Sequence, residues 1–143
     1  MASIRKEILI ETDAAAAWDA ARDYGALHTR LVPGFVADTT LEAGASPPVR
    51  IVTFASGMVL REVIVDVDDQ ARRIVWSVRG EGVEHHNGAL QILAAGEGRI
   101  RAVWIADVLP HALADAYGPA MEQGLTAMKR RFETFAICDS DPG

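Results

Sequence analysis

The stretch PHALADAYGPAMEQGLTAMKRRFETFA, residues Pro110–Ala136, predicts the single long helix of this chain. Its large apolar residues recur at steps of three or four, which is the period of one helical face. A row of small residues, Ala116, Ala120 and Gly124, runs beside them. Since native cores tolerate few gaps, this row either receives large side chains from a sheet or roofs a cavity. The apolar face consists of Leu113, Tyr117, Met121, Leu125, Met128, Phe132 and Phe135.

A proline inside a helix removes a hydrogen bond and kinks or breaks the helix, and Gly118-Pro119 lies inside this stretch. We therefore expect a short lead-in that ends at Tyr117 and a main helix from about Pro119. The chain before it shows alternating apolar residues between short turns, which is typical of an antiparallel sheet. Strands are predicted over Ile4–Glu11, Phe35–Leu41, Val49–Phe54, Met58–Val67, Arg72–Arg79, Leu90–Leu93 and Arg99–Val108.

Two short helical segments follow the first strand. Asp13 is a good N-cap for a helix over Ala14–Arg22, and Tyr24–Leu31 continues as a short helix or turn. Because the sheet must bury its apolar face, we predict an α+β fold in which a curved six- to seven-stranded antiparallel sheet wraps around the long C-terminal helix. We expect one domain over residues 1–137 and a disordered tail over 138–143.

The composition of these 143 residues argues against several classes of partner. A net charge of −6 and a pI near 5.1 disfavour nucleic acid, which requires a basic surface. No stretch approaches the roughly 18 apolar residues of a membrane span, and the N-terminus lacks the apolar core of a signal peptide. Since Cys138 is the single cysteine, no internal disulfide can form, and we expect a cytoplasmic protein.

Alternation along the strands selects the side chains that face the long helix. In the last strand Trp104 points to the same side as Ile100 and Ala102, whereas Arg99 and Arg101 point to the other. A curved sheet around one helix leaves a space, which the small helical residues enlarge. The residues predicted to line this cavity are Phe54, Met58, Leu60, Trp76 and Trp104 from the sheet, with Ala120 and Met121 from the helix.

Glu62 is the strongest candidate for a catalytic or ligand-binding residue, because alternation places it on the cavity side with Met58 and Leu60. A carboxylate in an apolar cavity is costly unless it is paired, so it suits a general acid or base, or a partner for a ligand hydroxyl. Two other interpretations stay open. Glu62 can form a buried pair with Arg50, or it can lie exposed near the strand end.

His85 and His86 lie on a predicted loop, Gly80–Gly88, at the cavity mouth. Adjacent histidines usually point to opposite sides, and no further His or Cys lies at ligand spacing, so we predict no metal site. His86 either contacts a ligand or remains a solvated loop residue.

Tyr117 and Trp104 are predicted core anchors, each with a polar tip that can also meet a ligand. Together with Glu62 and His86, Tyr117 completes the candidate catalytic residues. The chain has no Gly-x-Ser-x-Gly elbow, phosphate-binding glycine loop or dinucleotide fingerprint, so no cofactor is implied.

The second half of the strand Met58–Val67 is apolar on both faces. Alternation places Ile64 on one side and Val63, Val65 and Val67 on the other. A strand buried on both faces indicates a cover such as a neighbouring subunit, which leaves a homodimer through this strand open.

The order of elements resembles the helix-grip fold of the START, polyketide-cyclase and birch-pollen-allergen-like superfamily over about residues 3–136. Its local motifs resemble the bacterial polyketide cyclase/dehydrase-like branch and, more distantly, plant abscisic-acid receptors. Val49–Met58 is similar to the receptor strand that runs into the gate, and Asp68-Asp69 with Arg72 is similar to the next hairpin of the receptors. His85-His86-Asn87 lies where the receptors carry their latch. Trp104–Val108 with Pro110 resembles the end of the last receptor strand.

Departures from the receptor pattern limit what the resemblance implies. Val59-Leu60 replaces the gate's Pro-Ala, Phe35–Leu41 has no lysine, and Gly124 corresponds to the receptor's helix asparagine. A carboxylate-bearing hormone is therefore not the expected ligand. The superfamily includes carriers, receptors and cyclases, so the fold does not choose a function. The pocket that the resemblance implies is lined by Val52, Phe54, Met58, Glu62, Trp76, Val78, Trp104, Ala120 and Gly124.

Three functions remain open. The first is binding of a small apolar or aromatic molecule whose polar groups meet Glu62 and His86. The second is a polyketide cyclase/aromatase-like enzyme in which Glu62, a histidine or Tyr117 moves a proton in the same cavity. The third is a partner-binding domain whose own side chains fill the core, and it differs from the others by having no cavity.

Overall fold

Across residues 2–80 and 83–140, which the computed structural model describes, seven strands form one antiparallel sheet in the order β1-β7-β6-β5-β4-β3-β2. This sheet and the long C-terminal helix confirm the predicted helix-grip architecture. Side chains are described through residue 133. The elements are β1 (Ala2–Ile10), α1 (Ala14–Arg22), a π-helical turn (Leu27–Leu31), β2 (Val36–Leu41), β3 (Val49–Phe54), β4 (Val59–Asp68), β5 (Arg73–Arg79), β6 (His85–Ala94), β7 (Ile100–Leu109) and α2 (Leu113–Ser140).

Helix α2 continues through Pro119, so the expected break at that residue is wrong. Pro119 and Asp115 both lie on the exposed side of the helix. Because proline has no N–H, the Asp115 carbonyl lacks the hydrogen bond that residue 119 would otherwise donate. Water can reach that carbonyl, so the proline removes one hydrogen bond without leaving a buried group unpaired. The helix also extends to Ser140, into the tail predicted over 138–143, of which residues 141–143 lie outside the described residues.

The large apolar residues of α2 pack against the sheet, as their period predicts. Leu125, Met128 and Phe132 join the main buried cluster with residues of the sheet and α1, and Met121 packs with Ala106 and Val108 of β7. Burial of such side chains stabilises a fold by about 1.5–3 kcal/mol each. Phe135 was predicted on the same face, and its side chain lies outside the described residues.

The small residues of α2 divide between the two roles that the sequence leaves open. A Cβ at Gly124 would lie 2.7 Å from Trp104 Cζ3 and 3.0 Å from Phe35 Cε2, so aromatic side chains fill the space at this position. Ala120 borders a cavity instead, and Ala116 is exposed. The row therefore receives side chains at one end and roofs a cavity one turn earlier.

Strand β4 contains a β-bulge that accounts for its two apolar faces. Ile64 pairs with Trp76, but Asp66 pairs with Val75, so Val65 is the extra residue. Val65 is 57% exposed, and Val67 packs against the core. The expectation that Val67 lies opposite Ile64 is wrong, because alternation does not hold across a bulge. The apolar second face of this strand therefore no longer supports a homodimer, which stays a prediction.

Candidate functional site

Two chambers lie between the sheet and the helices. The outer chamber has a volume of about 220 Å³ and lies between the β3–β4 turn and the first half of α2. The inner chamber has a volume of about 60 Å³ and is lined by residues of α1, the π-helical turn and the sheet. Glu62 and four aromatic side chains border both chambers. These four, which we call the aromatic partition, are Phe35, Phe54, Trp76 and Trp104.

Most of the residues predicted to line a cavity border one of these chambers. Val78 and Gly124 border neither, because Val78 is packed in the core and Gly124 is covered by Trp104 and Phe35. Val52 borders the inner chamber. The predicted residues that border the outer chamber are Phe54, Met58, Leu60, Glu62, Trp76, His86, Trp104, Tyr117, Ala120 and Met121. Contact of any of them with a ligand stays a prediction.

Glu62 forms a buried ion pair with Arg50, which is one of the interpretations that the sequence left open. Arg50 Nε donates a hydrogen bond to Glu62 Oε1 at 2.7 Å, and the two residues are 3% and 5% exposed. The guanidinium also lies 5.1 Å from the Trp76 ring and donates to the Tyr24 carbonyl at 3.4 Å. Glu62 Oε2 has no hydrogen-bond partner within the described residues, so a positioned acceptor oxygen remains beside both chambers.

His86 lies on strand β6, so the predicted loop position is wrong. The β6–β7 ladder continues through the pairs His86↔Val108 and His85↔Leu109, which a single strand read alone does not reveal. His86 is 7% exposed and borders the outer chamber, and neither of its ring nitrogens has a partner within the described residues. Burial, and then the nearby His85, lower the pKa of His86 to about 4. Its imidazole is therefore neutral at pH 7.

Tyr117 lies beside His86 in the wall of the outer chamber. The two ring centroids are 4.8 Å apart, and the ring planes are tilted by 42°. Burial, and then the negative charge of Glu62, raise the pKa of Tyr117 above its ordinary value of 10. The phenol is therefore protonated at neutral pH, and its hydroxyl has no hydrogen-bond partner within the described residues. Three groups able to hold or move a proton thus border one chamber.

Two buried polar atoms lack a partner within the described part of the chain, His86 Nδ1 and Trp104 Nε1. Both belong to residues that border the outer chamber. Leaving a buried donor or acceptor unpaired costs about 1–3 kcal/mol, and native proteins tolerate few such atoms. Both atoms have almost no accessible surface, so they are buried within the chamber wall.

The sequence reading missed several residues of the chamber walls. Phe35 was placed in a strand, but it precedes β2 and turns its ring into the partition. Ser56 and Gln123 also lie at the outer chamber, and no pattern in the sequence singles them out. Helix α1 contributes Ala21 to the inner chamber, the π-helical turn contributes Leu27 and Leu31, and Val32 follows that turn.

Within the described residues, no group of three or more His, Cys, Asp or Glu side chains is arranged to hold a metal ion. The same part of the chain contains no helix with the length and apolar character needed to cross a membrane.

The family model described as "Polyketide cyclase / dehydrase and lipid transport" matches residues 1–133. A search of curated proteins finds no match to this sequence.

Solved structures show the same fold at low sequence identity. The protein XoxI from Bacillus cereus is 17% identical with a TM-score of 0.81, covering 95% of this chain and 99% of that one. The di-domain ARO/CYC protein BexL from the BE-7585A biosynthetic pathway is 13% identical with a TM-score of 0.79, and the match covers 93% of this chain and 47% of BexL. Norcoclaurine synthase from Thalictrum flavum, in complex with dopamine and hydroxybenzaldehyde, is 19% identical with a TM-score of 0.67, covering 98% and 88%.

Proposed function

Because this chain belongs to the polyketide cyclase/dehydrase and lipid transport family, we propose that it binds a small apolar or aromatic molecule in the outer chamber. The observation that carries the proposal is the chamber of about 220 Å³ itself, which is bordered by an aromatic wall and by three groups that can form hydrogen bonds, Glu62, His86 and Tyr117. The apolar body of the ligand would lie against Met58, Leu60 and the aromatic partition.

The polar end of such a ligand would meet a limited set of groups. The Tyr117 hydroxyl can donate and Glu62 Oε2 can accept, so a hydroxyl or carbonyl oxygen suits this wall better than a carboxylate. A ligand carboxylate would lie near the negative charge of Glu62 and would lose affinity by like-charge repulsion. The third function considered above, a partner-binding domain with a filled core, is disfavoured by the two chambers.

Binding can be tested with the neutral fluorescent probe N-phenyl-1-naphthylamine. Ala120→Leu places a larger side chain in the outer chamber and should weaken binding at least tenfold, while filling of the space maintains the stability of the fold. Ala116→Leu is the matched control, because Ala116 lies one turn earlier on the same helix and is exposed. Equal binding by the wild type and both variants would contradict the proposal.

The polar contacts have their own test with a phenolic ligand such as 1-naphthol. Glu62→Gln retains the side-chain shape but removes the charge, and His86→Ala removes the ring nitrogens. Each should weaken 1-naphthol binding several-fold, because a hydrogen bond to a buried partner contributes about 1 kcal/mol. Naphthalene, which has no hydroxyl, should bind the wild type and Glu62→Gln with similar affinity.

We propose an acid–base enzyme of the cyclase/aromatase kind as the second candidate function. The observation that favours it is the cluster of Glu62, His86 and Tyr117 around one chamber. A neutral His86 can accept a proton from a carbon next to a carbonyl, which leaves an enolate, and the protonated Tyr117 can donate a hydrogen bond to the enolate oxygen. Since its lowered pKa makes His86 a weak base, the step depends on this stabilisation by Tyr117.

Proton abstraction can be measured without knowledge of the natural substrate. In D₂O, exchange at the α-carbon of 1-tetralone should be faster with the wild type than with His86→Ala or Tyr117→Phe, as followed by NMR. Exchange at the buffer rate with the wild type would disfavour the enzyme and leave ligand binding as the function.

We also propose that the protein forms a homodimer and is located in the cytoplasm. A homodimer would use the outer side of β4, where Val65 is exposed. Sedimentation velocity should then give a dimer for the wild type and a monomer for Val65→Lys. A cytoplasmic location is tested by fractionation of the native host.

A further inference from the structure

One side chain of the aromatic partition borders three separate spaces. Phe35 lines the inner chamber, the outer chamber and a surface groove along α2. Among the described residues, no other member of the partition borders that groove. The groove runs past Pro33, Pro119 and Arg130.

Two glycines lie beneath three members of the partition, Gly88 beneath Trp76 and Gly124 beneath Trp104 and Phe35. A Cβ at Gly88 would lie 2.4 Å from Trp76 Cε2, so the Trp76 ring lies directly on the backbone of β6. Trp104 packs against Gly124 in the same way, and its ring lies 6.2 Å from that of Trp76. Neither indole can rotate without meeting the other or the adjacent backbone.

Phe54 lies within β3 and pairs with Val36, so its position is fixed by the sheet. Phe35 lies outside the strand, between Gly34 at a φ of +90° and the start of β2. Backbone hydrogen bonds hold the main chain here, since Phe35 N–H donates to Val32 and the Phe35 carbonyl accepts from Ala55 at 2.9 Å. The Phe35 ring also packs on Gly124, but among the described residues it is the one member of the partition that borders an open groove into which a ring can turn.

We propose that Phe35 is the specificity-determining residue that limits ligand length. With its ring in the partition, a ligand is confined to the outer chamber, which suits a compact molecule of one or two rings. A ligand with an extended alkyl chain reaches the inner chamber when the Phe35 ring turns into the α2 groove. This inference rests on the proposed binding function, because it concerns the same two chambers.

A series of 4-alkylphenols from ethyl to heptyl tests the limit by isothermal titration calorimetry. Each CH₂ group that is buried should tighten binding about fourfold, which corresponds to about 0.8 kcal/mol. In the wild type this gain should stop at a chain length where the outer chamber is full. Phe35→Ala should move that break by at least two carbons, so that the longest phenols bind more than tenfold tighter than to the wild type.

The matched control is Val36→Ala, because Val36 borders only the inner chamber and lies next to Phe35. It enlarges the inner chamber but leaves the partition intact, so the break should not move. If Phe35→Ala does not fold by circular dichroism, Phe35→Leu replaces it and should move the break by one carbon.

The outcomes separate this inference from the function on which it rests. Binding with an unchanged break in the folded Phe35 variant would overturn the length limit and leave the proposed function intact. An equal shift in Val36→Ala would also overturn it, because the partition would then not be the barrier. Absence of binding by every alkylphenol to the wild type and the variants would overturn both.

Discussion

Gly88→Ala tests whether the Trp76 ring lies where the cavity wall requires it. Gly88 lies opposite Trp76 in the β5–β6 ladder, and an added Cβ would be 2.4–2.5 Å from Cε2, Cζ2 and Nε1 of the indole. Ordinary contacts of this kind are about 3.4–4 Å. The ring would have to move, and with it a surface shared by both chambers.

One stabilising effect and two destabilising effects decide the size of the change. Alanine is better than glycine in a strand by about 0.5–1 kcal/mol, since glycine loses more backbone entropy on folding. Overpacking of a dense core costs about 1–3 kcal/mol. Displacement of Trp76 also removes its contact with the Arg50 guanidinium, which contributes about 0.5–2 kcal/mol. These ranges correspond to a net loss of about 0.5–4.5 kcal/mol in the free energy of unfolding, and we expect about 2.5 kcal/mol.

Urea unfolding, followed by circular dichroism, measures this loss directly. With a slope of about 1–3 kcal/mol per molar urea, the midpoint should fall by roughly 1 M. Gly80→Ala is the control, because no atom of the described residues other than its chain neighbours lies within 4 Å of its added Cβ, and it should stay within about 0.5 kcal/mol of the wild type. In a Trp76→Leu background, Gly88→Ala should cost little. A Gly88→Ala protein as stable as the wild type would refute the reasoning.

Three further predictions concern single interactions. Arg50→Met leaves Glu62 buried without its partner and should cost about 3–5 kcal/mol by urea unfolding, whereas the double variant with Glu62→Leu should recover most of this loss. The pKa of His86 is lowered from 6.5 to about 4, so the unfolded chain takes up this proton first and stability falls as the pH drops through this range. Between pH 6.5 and 5 the loss should be about 1–2 kcal/mol, and a His86→Leu variant should lack that part of the slope. Asp13→Ala removes the oxygen that caps Ala16 N–H and should cost about 1 kcal/mol by the same assay, while Asp13→Ser should cost less.

Elements whose ends are set by local signals can be predicted from the sequence. Helix α1 and strand β3 have the predicted bounds, because an N-cap at Asp13 and the turn at Ser56-Gly57 act within a few residues. The apolar period of α2 likewise defines its buried face over the described residues. Helix α2 continues through Pro119 because the carbonyl of Asp115, which loses its hydrogen bond there, is exposed to water. A local sequence pattern does not show which side of the helix will be exposed.

Features that depend on a partner strand were predicted less well. His86 belongs to a strand because β7 pairs with it, and Val67 faces the core because a bulge at Val65 shifts the register. The role of Phe35 depends on three spaces that come together only in the folded chain. Glu62 could be selected from alternation, but its pairing with Arg50 needed the actual register of β3 and β4.

The central claim is that the outer chamber holds a small molecule. The most direct measurement is native mass spectrometry of the protein purified from its own host, repeated after denaturation. We predict an additional small apolar mass that is lost on unfolding, is retained by Ala116→Leu and is missing from Ala120→Leu. Wild-type protein that carries no such mass, and that also fails to bind neutral apolar dyes, would contradict the account.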